Sequence, residues 1–203
     1  MEYDGAAIRG PIARRIAWTN SNTGESAMRQ FWTIPLLGVL ALGVSRGAEA
    51  PPNTVASVDL QRYVGRWYEI GKIPNRFQKH CARGTTAEYT LRDDGTVEVV
   101  NRCIEADGST EEVKGIAKVE DRASNSKLKV SFVRTFGVQL FWGKYWIIGL
   151  GVNYEYAIVG SPDRKYGWIL SRTPRLGPEL LDKIFATLRA QGYDPASFEM
   201  TAQ

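Results

Sequence analysis

The most reactive side chains in this sequence are those of Cys81, Cys103 and His80, which are its two cysteines and its single histidine. The cysteines flank a hairpin turn at Asp93-Asp94, and Gly84 could supply the bulge that brings Cys81 opposite Cys103. In an oxidising compartment this arrangement predicts a disulfide, with two free thiols as the alternative. A catalytic thiol is a third option, and His80 is the base that could assist it. One histidine excludes a site of several histidines, so we predict no metal and no cofactor.

A tryptophan and an arginine provide a second feature with chemical meaning. Trp67 lies in Gly65-Arg66-Trp67, at the start of a series of short strands, and Arg172 closes the last strand of that series. If the strands close into a barrel, the guanidinium can lie over the indole ring, a contact worth ~0.5–2 kcal/mol. We predict that Gly65, Trp67 and Arg172 form the floor of a barrel and make it a cup.

Aromatic and aliphatic residues in the second half of the chain could line this cup. Because strand alternation cannot direct both Tyr145 and Trp146 inward, one strand phase has to be chosen. The inward set that we predict for the pocket is Phe132, Tyr145, Ile147, Tyr156, Ile158 and Trp168. An apolar segment at the mouth would contain Phe136, Leu140 and Phe141, with Arg134 or Lys144 near enough to pair with an anionic headgroup.

The elements that must position these residues are eight short strands separated by turn residues. Asp94-Gly95 and Asp107-Gly108 are hairpin signals, because glycine tolerates a positive φ and aspartate can bond to its own backbone. The predicted strands cover residues 66–73, 85–91, 96–104, 111–120, 127–133, 144–150, 154–160 and 166–172. This pattern predicts an all-β fold, an eight-stranded antiparallel up-and-down barrel with room for one small ligand.

Helical periodicity is found at two places outside the strands. A C-terminal helix is predicted from Pro178 to Arg189, with proline in its first turn and Gly192 just past its end. Its apolar stripe, which we expect to pack on the outside of the barrel, is Leu181, Ile184, Phe185 and Leu188. A short helical turn over 59–64, with Asp59 as its N-cap, precedes the first strand, and a last short strand is predicted over 197–200.

The N-terminal region has the features of an export signal. Met28-Arg29 is a basic start, Phe31 to Val44 is an apolar run, and Ala48-Glu49-Ala50 resembles a cleavage site. The run is shorter than the ~20 residues of a membrane span, although an uncleaved anchor is the alternative. We assign residues 1–27 to a non-structural leader or a mis-called start, 28–50 to a signal peptide and 51–203 to the folded domain. We expect export from the cytoplasm, which in a Gram-negative bacterium means secretion to the periplasm, and no cysteine near the cleavage region offers a lipid anchor.

The composition argues against a nucleic-acid partner. Of the 203 residues, 24% are charged and the formal net charge is +4. Lysines and arginines alternate with acidic residues instead of forming the basic stripe that nucleic-acid binding requires. The excess charge allows, at most, weak attraction to anionic lipid headgroups.

Five segments, in order along residues 59–200, resemble bacterial lipocalins of the calycin superfamily. The resemblance is greatest to the outer-membrane lipocalins that handle lysophospholipids and fatty acids. The matching segments are Gly65-Arg66-Trp67-Tyr68-Glu69-Ile70, Ala87-Glu88-Tyr89-Thr90-Leu91-Arg92-Asp93-Asp94-Gly95, Tyr145-Trp146-Ile147-Ile148, Tyr154-Glu155-Tyr156-Ala157 and Trp168-Ile169-Leu170-Ser171-Arg172-Thr173-Pro174. The resemblance implies a lipocalin barrel with a lipid ligand. Well-known bacterial members carry a lipid on an N-terminal cysteine, which this chain lacks.

The resemblance and the apolar lining together predict a protein that binds, stores or transports lysophospholipids or fatty acids without chemical turnover, and so supports membrane maintenance. The mouth segment could contact the outer membrane or form a homodimer. An enzyme on the same barrel, an isomerase or a de-epoxidase of an apolar substrate, is the alternative and would need a reactive thiol or inward acids. A barrel filled by its own aromatic side chains is a further alternative.

Overall fold

The structure, a computed structural model, describes residues 50–135 and 138–203, with only the backbone of Arg134. The predicted leader over 1–27, the predicted signal up to residue 49, and Phe136 lie outside the described residues.

Strands dominate the described chain from Gly65 onwards. Their bounds are β1 (Gly65–Lys72), β2 (Cys81–Leu91), β3 (Val97–Glu105), β4 (Thr110–Val119), β5 (Lys127–Ser131), β6 (Val133–Thr135), β7 (Val138–Leu140), β8 (Gly143–Leu150), β9 (Tyr156–Gly160), β10 (Gly167–Ser171) and β11 (Glu199–Met200). Two α-helices flank them, α1 (Leu60–Tyr63) and α2 (Pro178–Ala190), and short 3-10 helices form at Arg76–Gln78 and Pro195–Ser197. The eight predicted strands are confirmed as β1 to β5 and β8 to β10, while β6 and β7 form a separate small hairpin.

The eight long strands close into an antiparallel barrel. Neighbouring strands in the sheet follow the order β10, β9, β8, β5, β4, β3, β2, β1, and β1 pairs again with β10. In this closing pair Tyr68 lies opposite Ser171 and Lys72 lies opposite Trp168. Closure removes the free edges of the sheet, and eight strands leave an interior that can hold one ligand.

The predicted hairpin turns form as their residues require. Gly95 and Gly108 both adopt a positive φ, at 76° and 88°. In the first turn, Asp94 accepts hydrogen bonds from the Thr96 hydroxyl at 2.6 Å and the Thr96 backbone nitrogen at 2.9 Å. These bonds lower the pKa of Asp94, although it is exposed to solvent. Because short turns join successive strands, the up-and-down order follows directly.

Two apolar clusters lie on opposite faces of the sheet. The inner cluster fills the lower part of the barrel around Trp67, Ile147 and Val159. The outer cluster lies between the barrel wall and α2, and includes Ile158 and Ile169. Strands β9 and β10 contribute residues to both clusters, so they are apolar on both faces.

Helix α2 packs on the outside of the barrel, as its apolar stripe predicts. Ile184 and Leu188 are fully buried, and Leu181 and Phe185 pack beside them. Pro178 occupies the first turn, and Gly192 follows the helix with a φ of 78°. Over the described ranges, no helix is both long and apolar enough to span a membrane.

Candidate functional site

The barrel floor is built around Arg172. Its guanidinium carbon lies 3.7 Å from the centroid of the Trp67 ring, and Trp67 is completely buried. Arg172 also donates hydrogen bonds to four backbone carbonyls at 2.7–3.0 Å, those of Arg62, Tyr63, Val64 and Arg66. The arginine therefore ties the end of β10 to α1 and to the start of β1, and closes this end of the barrel.

The residues just before Trp67 fix the position of its ring under Arg172. Asp59 caps α1 through the backbone nitrogens of Gln61 and Arg62, which confirms the predicted helical turn. Gly65 follows with a φ of 91°, a conformation that glycine adopts without strain. The indole nitrogen of Trp67 then donates to the Tyr63 carbonyl at 2.8 Å, so α1 is held beneath the ring.

Above the floor the barrel encloses a cavity of about 940 Å³. Its middle wall is largely apolar, and the residues of β2 to β5 and β10 that form it are Ala87, Val97, Val99, Ala117, Leu128, Val130 and Leu170. These side chains alternate along their strands with residues that face outward, as in any half-buried sheet. An apolar wall of this kind favours a hydrocarbon ligand.

Three tyrosines lie at the closed end of the cavity, and we call them the tyrosine trio: Tyr63, Tyr89 and Tyr145. The Tyr145 hydroxyl lies 2.8 Å from the Tyr63 hydroxyl and 3.1 Å from the Tyr89 hydroxyl. Burial raises the pKa of Tyr89 to about 12 and raises the pKa values of Tyr63 and Tyr145 well above 10.0. All three hydroxyls are therefore protonated at neutral pH.

Three of the six predicted pocket residues line the cavity. Tyr145 belongs to the closed end, Phe132 lies near the mouth, and Trp168 is held by a 3.0 Å hydrogen bond from its indole nitrogen to Gln78. Ile147 faces the interior but is fully buried in the inner cluster, where it packs below the open space.

The prediction of which β9 side chains point into the barrel is wrong. Tyr156 and Ile158 belong to the outer cluster under α2, while Ala157 and Val159 face the barrel interior. Val159 lies opposite the inward Ile147, so the two share a face of the sheet. Because β9 is apolar on both faces, alternation of polar and apolar residues could not reveal its phase.

A disulfide stands at the mouth, beside the contact between His80 and Glu111. The predicted bond between Cys81 and Cys103 is confirmed, with Cα atoms 5.5 Å apart. The pairing of β2 with β3 shifts register after Cys81 and again before Thr86, and Gly84 lies in this irregular stretch with a φ of 64°. The bulge required by the sequence spacing is therefore present.

The side chains around the disulfide do not form a metal centre. His80 and Glu111 lie beside the two cysteines, but both sulfurs are committed to the disulfide. His80 and Glu111 instead pair with each other. Two remaining donors are too few for the four-coordinate sites typical of zinc.

A buried carboxylate braces the mouth from the side of β1. Glu69 is only 3% exposed, and it accepts hydrogen bonds from Gln78 at 2.6 Å and Thr201 at 2.7 Å. Lys72 completes its partners at 3.2 Å. The inward carboxylate is thus fully paired, and it links the C-terminal strand β11 to the loop that carries Gln78.

The β6–β7 hairpin and the residue after it expose an apolar lip, which we define as Val133, Val138, Leu140 and Phe141. Phe141 is 82% exposed and Val138 is 59% exposed. Of the predicted mouth residues, Phe141 also lines the cavity, Leu140 lies on the lip, and Phe136 is outside the described residues.

Of the cations predicted near the mouth, Lys144 is already paired with Glu120 at 2.8 Å, and the side chain of Arg134 is not described. Arg76 also lines the mouth, with its guanidinium carbon 4.9 Å from the Phe77 ring centroid. Among the described residues, no carboxylate pairs with Arg76.

Sequence reasoning missed the tyrosine trio as a unit and missed Arg76. Tyr89 could have been found, because Thr85, Ala87, Tyr89 and Leu91 share one face of a strand whose other face is polar. Tyr63 carries no such signal, since it enters the barrel from a single helical turn. Arg76 follows a strand-ending proline-asparagine pair, and only the fold places it at the mouth.

A closed eight-stranded barrel with an arginine-sealed floor, an apolar cavity and an external helix defines a lipocalin. A model of the lipocalin-like domain matches residues 58–203, and the chain belongs to this family. It is 38% identical over 161 residues to outer membrane lipoprotein Blc of Escherichia coli K12, which covers 77% of this chain and 88% of that protein. It is 35% identical over 154 residues to temperature-induced lipocalin-1 of Arabidopsis thaliana, covering 74% and 82% of the two chains.

Solved structures agree with the fold. Insecticyanin from the tobacco hornworm Manduca sexta superposes with a TM-score of 0.60 at 24% identity, over 76% of this chain and 85% of that one. At this level of identity the likeness concerns the barrel architecture only.

Proposed function

We propose that the protein binds and carries single-chain lipids, fatty acids or lysophospholipids, in the bacterial cell envelope, without converting them. The observation that supports this most directly is the cavity of about 940 Å³, apolar along its walls, closed by Arg172 and open at the end where Arg76 and the apolar lip lie. Its volume is at the upper end of the ~300–1,000 Å³ typical of ligand pockets. Burial of an acyl chain there would gain ~0.8 kcal/mol for each CH₂ group.

A cation at the mouth supports an amphiphile rather than a plain hydrocarbon. Arg76 is the described cation at the mouth that is not engaged by a carboxylate, and its guanidinium suits a phosphate or carboxylate oxygen. Lys144 is less suited, because Glu120 already neutralises it. The headgroup would remain in water beside Arg76 while the tail fills the barrel.

The envelope location is proposed from the sequence and from the relatives. Residues 28–50 have the pattern of a signal peptide, and the disulfide between Cys81 and Cys103 requires an oxidising compartment such as the periplasm. The Escherichia coli relative is named an outer membrane lipoprotein. The apolar lip would let the mouth touch the membrane surface from which lipid is collected, and pairing of two lips in a homodimer is the alternative use of this surface.

The enzyme alternative has less support. Both cysteines of the chain are in the disulfide, so a catalytic thiol would first require reduction. Glu69, the buried carboxylate beside the cavity, is held by Lys72, Gln78 and Thr201. We therefore favour binding without turnover.

Titration of the delipidated protein with a saturated fatty acid or a lysophospholipid tests this proposal. Tryptophan fluorescence should change saturably, because Trp142 and Trp168 line the cavity, and the dissociation constant should be micromolar. Ala117→Phe would fill the middle of the cavity and should weaken binding at least about tenfold, since displaced methylene groups lose their burial. Lys114→Phe is the matched control, because its side chain is exposed on the outside of the same strand.

Two outcomes would contradict the proposal. One is the absence of saturable binding below ~100 µM, which is weaker than burial of a long acyl chain should give. The other is recovery of the lipid in chemically altered form, which mass spectrometry of the extracted ligand would detect and which would favour the enzyme.

A further inference from the structure

The tyrosine trio is a polar group at the end of the cavity where an acyl chain would place its apolar tip. Each tyrosine hydroxyl has one hydrogen to donate and two lone pairs. The two hydrogen bonds of the trio, Tyr63 to Tyr145 and Tyr145 to Tyr89, join three hydroxyls. Two bonds consume two hydrogens, so one O–H remains without an acceptor, whichever direction the bonds take.

No other hydrogen bond of these three hydroxyls occurs within the described residues. The unsatisfied O–H cannot be removed by ionisation at neutral pH, because burial keeps all three tyrosines protonated. The hydroxyl oxygens are held in place by the packing of their rings, since the Tyr63 and Tyr89 rings are stacked with centroids 5.9 Å apart and Tyr145 meets Tyr89 edge-on. A methyl group placed against the trio would leave this donor buried and unpaired, which is unfavourable.

We propose that the tyrosine trio is a binding site for a hydroxyl or carbonyl oxygen at the buried end of the ligand, so that the protein prefers single-chain lipids oxygenated at the end away from the headgroup. This inference rests on the proposed lipid-binding function and specifies the ligand within it. A neutral oxygen suits the site better than a carboxylate, because one free donor cannot replace the hydration of a charge. The apolar wall above the trio, which includes Ala87 and Leu128, would hold the hydrocarbon chain between the two polar ends of the ligand.

The wild-type protein would be titrated with an ω-hydroxy fatty acid and with the unsubstituted fatty acid of equal length, over a series of chain lengths. The measured quantity is the ratio of the two dissociation constants. The same ratio would be measured for the triple variant Tyr63→Phe/Tyr89→Phe/Tyr145→Phe, which keeps the rings and removes the donors. At the chain length that reaches the trio, we expect the wild type to prefer the ω-hydroxy acid about tenfold more strongly than the triple variant does.

Two further variants make the test specific to the donor. Tyr89→Phe alone leaves a pair of hydroxyls with one bond, and hence still one free O–H, so the preference should persist. Tyr156→Phe is the control for loss of a tyrosine hydroxyl elsewhere, because Tyr156 packs outside the barrel under α2. A preference that is lost in Tyr89→Phe as fully as in the triple variant would overturn the proposal.

The failure of this inference and the failure of the proposed function give different results. If both acids bind the wild type and the ratio is the same in the triple variant, the trio is only part of the wall and the inference is wrong. If neither acid binds, the lipid-binding function is wrong and the inference falls with it. If the triple variant does not fold, the wild type can be tested by NMR with an ω-hydroxy acid that is ¹³C-labelled at its terminal carbon. Contacts between this carbon and the tyrosine rings would support the site. Contacts to Phe77 at the mouth instead would refute the site.

Discussion

At the scale of single residues, Arg172 has the greatest influence on the shape of the site. Its position over Trp67 was predictable from the order of the two residues along the chain, because the first and last strands of a closed barrel are neighbours. Its four bonds to backbone carbonyls were not predictable, since they depend on the path of α1 and the turn at Gly65. The arginine is thus both a stacking partner and a clamp.

Replacement of Arg172 by alanine should therefore destabilise the fold by about 2–3 kcal/mol, through loss of the cation–π contact and of charge-assisted hydrogen bonds. Urea unfolding of the variant measures this. Arg66→Ala is the control, because its ion pair with Glu88 is exposed and should contribute less than about 1 kcal/mol. An Arg172→Ala protein as stable as Arg66→Ala would show that the floor does not depend on the clamp.

The tyrosine trio gives the fold a dependence on alkaline pH. Burial raises the pKa of Tyr89 to about 12 and those of Tyr63 and Tyr145 well above 10.0, whereas the unfolded chain releases these protons near 10. Their contribution to stability is complete below pH 10 and is lost as the pH rises towards and beyond 12, with a slope of up to about 1.4 kcal/mol per pH unit for each tyrosine.

Urea unfolding at a series of alkaline pH values would measure this slope. In the variant with all three tyrosines changed to phenylalanine, the free energy of unfolding should fall less steeply above pH 10. Equal slopes in the two proteins would mean that the trio ionises freely in the folded state.

At the scale of elements, the predictability of a strand depends on whether one of its faces meets water. Strands β2 and β5 alternate between an apolar and a polar face, so their inward residues could be assigned from the sequence. Strands β9 and β10 lie between the barrel interior and α2, and both of their faces are apolar. The sequence pattern therefore does not show which residues point inward, and the prediction of Tyr156 and Ile158 as pocket residues is wrong for this reason. The irregular pairing that brings Cys81 opposite the end of β3 could be inferred only because the spacing of the two cysteines requires a bulge.

The disulfide secures the pairing of β2 and β3 at the mouth. Because Cys81 and Cys103 are 22 residues apart, the bond should stabilise the protein by ~3 kcal/mol, through the restriction of the unfolded chain. The variant Cys81→Ser/Cys103→Ser would test this by thermal unfolding, alongside the wild type with and without reductant. The variant and the reduced wild type should lose similar stability, and an unchanged melting temperature in both would contradict the expectation.

At the scale of the whole molecule, the sequence predicted the barrel, its closed end and the external helix, because turn residues and helical periodicity mark them locally. The composition of the cavity was less predictable, since its lining is assembled from residues of seven of the eight barrel strands. Arg76, Tyr63 and Tyr89 are brought to the site by the fold from a loop, a single helical turn and a strand. The packing of the irregular segment before α1 is a further part of the fold that no local sequence pattern predicted.

That segment, residues 52–58, runs beneath the barrel and is integrated into it. The backbone nitrogens of Val55 and Val58 donate to the carbonyls of Ile147 at 2.9 Å and Ser124 at 2.7 Å, and Val58 is only 3% exposed. We therefore expect a chain that starts at Pro51 to unfold at the same temperature as the full chain, whereas a chain that starts at Asp59 should lose about 2–4 kcal/mol through the lost bonds and apolar burial. Calorimetry of the three chains measures this difference. If removal of residues 1–50 destabilised the protein as much as removal of 1–58, the folded domain would extend beyond the bounds that we assign to it.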